Sequence, residues 1–104
     1  MKVLLVCSQG MSSAICAKAL QEAAQKEGID MTVSECSTQA FAEEIKNGYA
    51  IGLIAPQIRH RFDVLKGQAT NAGVPCLLIQ PQGYTPLGGA KLLAQIKAEL
   101  GELK

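Results

Sequence analysis

Residues 49–55, Tyr-Ala-Ile-Gly-Leu-Ile-Ala, carry no charged side chain and no polar one beyond the tyrosine hydroxyl. A run this short, apolar at odd and even positions alike, fits a strand covered on both faces, as in a parallel sheet. Lys2–Val6 and residues 74–79 are runs of the same kind. The fourth candidate strand differs. Ile29, Met31 and Val33 alternate with Asp30, Thr32 and Ser34, the pattern of an edge strand with one exposed face. Helical stripes separate these runs. Residues 13–27 place Cys16, Ala19, Leu20, Ala23 and Ala24 on one side and stop at Gly28. Phe41 and Ile45 lie one turn apart between Thr38, a cap candidate, and Gly48. Pro56 suits the first turn of a helix striped by Ile58, Phe62, Leu65 and Ala69 and ended by Gly73. Leu93, Ile96 and Leu100 mark the last helix.

Strands alternating with helices require right-handed crossovers and a parallel sheet. The expected fold is α/β, a four-stranded open parallel sheet with helices on both faces. The first run, apolar throughout, belongs at the centre beside the third. Strand order is then 2-1-3-4, with a switch point next to strand 1. Ligands of such sheets bind at the carboxyl ends of the strands near that point. Cys7 falls there.

A strand that runs through a short loop into a helix is an anion site. The loop amides converge, and the helix N-terminus adds roughly half a positive charge. A thiol at the first loop position is favoured as thiolate and nucleophile. Composition narrows the alternatives. The 104 residues form a single expected domain, 1–104, with formal charge +1 and no like-charge run longer than two. There is no tryptophan, and only two Phe and two Tyr are available, so nucleic-acid binding is not expected. No stretch is long enough to cross a membrane. The opening MKVLLVC has four consecutive apolar residues where a signal sequence needs roughly seven to fifteen. A cytosolic location follows. The cysteines at 7, 16, 36 and 76 form no C-x-x-C pair, and the only histidine, His60, is distant in sequence, so no metal or cofactor is expected. A reducing compartment also argues against disulfides. Cys16 and Cys76 fall within apolar stripes and read as small hydrophobes, and Cys36 ends a mixed segment.

Two chemistries fit Cys7. A cysteine phosphatase needs an arginine six positions on to clamp the phosphate oxygens. Here that position is Ser13, and no Arg or Lys occurs from residue 3 to residue 17. Phosphoryl-transfer transition states depend on charge placed around the oxygens. A loop of amides and hydroxyls therefore suits a carrier, for which slow hydrolysis is an advantage. The competing reading is a low-molecular-weight cysteine phosphatase or arsenate-reductase-like enzyme on a similar flavodoxin-like, phosphatase-like half. It lacks both the arginine and an acidic residue near a proline in residues 80–86.

The loop Cys7, Ser8, Gln9, Gly10, Met11, Ser12, Ser13 resembles the C-x-x-G-M-S-[ST] loop of the enzyme IIB component of lactose/cellobiose-class sugar phosphotransferase systems. Residues 51–58, ending Ala55-Pro56-Gln57-Ile58, are similar to that family's strand-3 region ending in G-P-Q-I. Gly83-Tyr84 and Gly88-Gly89 resemble its loop before the last helix. The resemblance spans essentially the whole chain. Gln9 stands where a smaller residue is common, and Ala55 where glycine is common.

This resemblance implies a phosphocysteine relay. A phosphohistidine of a cytosolic IIA protein would give its phosphoryl group to Cys7. Cys7 would pass it to a sugar, a β-linked disaccharide such as cellobiose, chitobiose or lactose, entering through the membrane IIC permease. Gly10 can take a positive φ that turns loop amides inward. Ser12 and Ser13 can cap the first helix and donate to phosphate oxygens, and Met11 contributes its amide. The docking face expected for the partners comprises Pro56, Gln57, Ile58 and Arg59, with Tyr84 from the 80–86 loop. Arg59-His60-Arg61 offers charge complementarity to an acidic partner.

Overall fold

The computed structural model describes residues 1–6, 10–81 and 88–101, with side chains in the first helix from Ala14 onward. Strands β1 (Lys2–Val6), β2 (Thr32–Cys36), β3 (Ile51–Ile54) and β4 (Cys76–Leu78) form one sheet. Its order is β2-β1-β3-β4 and every pairing is parallel, as the run order requires. β1, with Val3 to Val6 fully buried, is central. β2 takes the edge, where Val33 donates its amide to Gln21 Oε1 at 2.8 Å, which covers part of that edge.

The helices are α1 (Gly10–Lys26), α2 (Phe41–Glu44), α3 (Phe62–Asn71) and α4 (Gly89–Leu100), with a 3-10 turn at Pro56–Arg61 preceding α3. Side chains of odd-numbered β1 residues point to one face and even-numbered ones to the other. Val3, Leu5, Ile51 and Leu53 meet Cys16, Leu20 and Ala24 of α1 and Leu92, Leu93 and Ile96 of α4. Leu4, Val6, Ile54 and Cys76 meet Phe41, Ile45, Ile58, Leu65 and Ala69 on the other side. Each face carries its own core.

Several boundaries differ from the sequence expectation. Ile29 and Met31 are buried but precede β2, since pairing with β1 begins only at Lys2 opposite Thr32. The second helix is a single turn, and Thr38 does not cap it. Ala40 is the cap residue, and its amide donates to Ser37 Oγ at 3.3 Å. The helix opened by Pro56 is divided. Ile58 adopts φ −115°, ψ 27°, and Arg61 φ −103°, ψ 4°, so the stripe crosses a kink between 3-10 and α geometry. Gly28 and Gly73 end α1 and α3 at φ 75°, as their positions predict.

One contact sets the spacing of the helices beside the site. A Cβ at Gly89 would lie 2.3 Å from the Ala19 carbonyl oxygen, so α4 rests against α1 backbone to backbone.

Candidate functional site at the carboxyl edge of the sheet

The strands end level. Val6 is in register with Cys36 of β2 and Ile54 of β3, and Ile54 with Leu78 of β4. The chain therefore leaves β1, β3 and β4 along one edge. Two hydrogen bonds extend the ladder past the strand ends: Ala55 N donates to the Val6 carbonyl at 3.0 Å, and Ile79 N to the Ile54 carbonyl at 2.9 Å. Ala55, with Pro56 next, is thus bonded to the last residue of β1.

α1 begins at Gly10, three residues after Cys7, and runs for 17 residues with no acidic side chain in its first turn. Its N-terminal amides and macrodipole are uncancelled by any carboxylate of their own turn. An anion is favoured at that end of the helix. Gly10, expected in the turn, is the first helical residue. Met11, Ser12 and Ser13 complete the first turn, so neither serine occupies the cap position that the sequence suggests. Cys7, Ser8, Gln9 and Tyr84 lie outside the described residues.

The expected docking residues are only partly surface residues. Pro56 is half-buried, and Gln57 and Arg59 are exposed. Ile58 is 3 % exposed and belongs to the core with Leu4, Val6 and Phe41. Its side chain anchors the turn rather than facing a partner. Apolar bulk at that position, with Ile54 four residues earlier, is a core signal. His60 and Arg61 are exposed beside Arg59.

The remaining thiols separate by environment. Cys16 and Cys76 are buried at 2 % and 3 % exposure. Burial pushes the Cys76 thiol up to about 12, the Lys66 ammonium opposing and the Glu99 carboxylate adding. Such a thiol is chemically quiet. Cys36 is half-buried at the same sheet edge as Val6, a placement that its sequence position alone does not reveal. Among the described residues no group of three or more His, Cys, Asp or Glu could hold a metal ion, and no helix is long and apolar enough to cross a membrane.

Sequence reasoning missed Gln95. From α4 its Nε2 donates to the Leu78 carbonyl at 2.7 Å, while its Oε1 accepts from Gln80 N at 3.3 Å. It fixes the end of β4 and the start of the 80–86 segment. A half-buried glutamine inside a helical stripe gives no sequence signal of that kind.

A parallel doubly wound sheet whose central strand is followed by a helix with no acidic residue in its first turn defines a class of domains that offer an anion site at the sheet's carboxyl edge. The family profile of the phosphotransferase system, lactose/cellobiose-specific IIB subunit, matches residues 2–95, and the chain belongs to that family. It is a phosphotransferase component of a sugar phosphotransferase system, and its family works with IIA and IIC components in general. Among solved structures it is similar to the lactose-specific IIB component domain of the phosphoenolpyruvate:carbohydrate phosphotransferase system from Streptococcus pneumoniae. That match has a TM-score of 0.76 at 21 % identity, covering 91 % of this chain and 95 % of the other, a likeness of fold. It is also similar to the cellobiose-specific phosphotransferase IIB component protein from Borrelia burgdorferi, with TM-score 0.73 and 26 % identity over 100 % of this chain and 95 % of that one. No curated protein matches the sequence.

Proposed function

We propose that residues 1–104 act as one cytosolic phosphocysteine carrier domain, with Cys7 as acceptor and donor of the phosphoryl group. The observation that carries this reading is the sequence Cys7 to Ser13 following the buried central strand and running into α1, in a chain whose family is the lactose/cellobiose-specific IIB subunit. The Cys7 thiolate attacks phosphorus of a IIA phosphohistidine. The S–P bond forms, the P–N bond breaks, and the departing imidazole nitrogen takes a proton. A hydroxyl of a sugar bound by the IIC permease then attacks phosphorus, its proton leaving to solvent or a base. The S–P bond breaks and the thiolate returns. No water enters either step.

The roles of the loop follow from charge. Amides of Ser8, Gln9, Gly10 and Met11, with the hydroxyls of Ser12 and Ser13, receive the phosphoryl oxygens at the positive end of α1. Serine at position 13 holds the anion without the bidentate charge that an arginine would bring to hydrolysis. Tyr84 is assigned to partner docking with Gln57 and Arg59. The sugar is a β-linked disaccharide of the cellobiose, chitobiose or lactose type, selected by the IIC component.

The test is phosphoryl acceptance. Incubation with phosphorylated IIA is expected to add one phosphoryl group to the intact mass of the wild type and none to Cys7→Ser. Equal labelling of Cys7→Ser would remove Cys7 from the reaction.

A further inference from the structure

We propose that the Arg59-His60-Arg61 turn is the docking surface for an acidic face of the phosphoryl-donor protein, and that it acts by steering the charged donor onto Cys7. This rests on the relay reading above. All three side chains are exposed, and among the described residues they make no hydrogen bond, ion pair or ring contact. By contrast, Lys46 pairs with Glu43, Lys97 with Glu27, and Lys2 lies over the Tyr49 ring.

Arg59, His60 and Arg61 form the last turn of the 3-10 segment, and Arg61 is also the cap residue of α3, with Asp63 the only acidic residue of that helix's first turn. The turn is held rigidly. Ile58 is buried beneath it, its amide donates to the Ala55 carbonyl at 3.1 Å, and Ala55 is bonded to the carbonyl of Val6, the residue before Cys7. The cations therefore sit on a fixed platform at the rim of the reacting edge.

The number of charges identifies the partner. Lipid-binding basic clusters carry about four to eight Lys or Arg. Duplex-binding surfaces make on the order of six to ten phosphate contacts. Two arginines and a histidine fall short of both, but they match the rim charges that set association rate between proteins. The donor also arrives with a phosphoryl group of about −2 at the centre of the contact. After transfer that charge resides on the carrier. The pull on the spent donor is reduced and release is favoured.

The test compares double charge reversals that change net charge equally: Arg59→Glu/Arg61→Glu at the rim, and Lys26→Glu/Lys46→Glu at the opposite end of the sheet. The second-order rate of phosphoryl transfer from phosphorylated IIA of the same system is measured at low and at high salt. Circular dichroism checks the fold of each variant, and Arg59→Gln/Arg61→Gln serves as a milder pair. At low salt the rim reversal is expected to slow transfer about tenfold or more, the neutral pair by less, with convergence at high salt. The Lys26/Lys46 pair is expected to match the wild type. Equal slowing by both reversals, or none by the rim pair while the wild type accepts phosphoryl, overturns the docking surface and leaves the relay standing. A wild type that accepts no phosphoryl overturns both. Charge-dependent sedimentation with phosphatidylserine/phosphatidylcholine vesicles, lost in the rim pair alone, would replace the donor protein with a membrane surface.

Discussion

Cys76 shows how burial sets the character of a thiol. Its proton is held up to about 12. A folded-state value above the unfolded one means that the native chain retains a proton which the unfolded chain loses. The associated stability is complete below the unfolded thiol value and declines as pH rises towards the folded one. The melting midpoint is therefore expected to fall on going from pH ~9 to pH ~12, and more steeply than in Cys76→Val. Parallel curves for the two proteins would contradict the assignment. Alkylation of the native protein is expected to leave Cys76 untouched until the chain unfolds, whereas Cys7, the proposed acceptor, reacts first. Ile58 carries a similar lesson about position. Ile58→Ala is expected to cost about 2–4 kcal/mol in chemical denaturation, as a truncation inside a packed core does. Equal stability would return Ile58 to the surface role that the sequence suggested.

At the level of elements, the stripes identify which segments are helix and strand but not how each helix begins. Ile58, Phe62, Leu65 and Ala69 read as one continuous stripe. Yet the 3-10 and α periods differ too little over a single turn for spacing to reveal the kink at Ile58. Phe41 and Ile45 show the same limit, being satisfied by a helix of one turn. The pair Gly88-Gly89 was visible as a family feature, but its physical reason is the approach of α4 to the Ala19 carbonyl, a contact between segments 70 residues apart. Gly89→Ala is expected to destabilise the protein by about 1–3 kcal/mol, because backbone must move to admit the methyl group. An unchanged denaturation midpoint would mean that the helices separate freely. Gln95→Leu is expected to cost about 1 kcal/mol by leaving the Leu78 carbonyl and Gln80 amide without their side-chain partner.

For the whole molecule, the sheet order was legible because few topologies satisfy parallel pairing, right-handed crossovers and a central apolar strand together. The same topology is what assigns the proposed site to the carboxyl edge, since Cys7 comes directly after the strand beside the switch point. The contributions of Gln95, Gly89 and the buried Ile58 were not legible, because each depends on which face meets which neighbour. In the proposed relay, this edge carries a phosphoryl group on sulfur between two partners. The most direct measurement is site mapping by fragmentation mass spectrometry after incubation with phosphorylated IIA, with p-nitrophenyl phosphate turnover followed on the same sample. The expected result is a single phosphoryl group on Cys7 and negligible hydrolysis of the aryl phosphate. Phosphoryl found on His60, or vigorous turnover with no stable phosphocysteine, would contradict it.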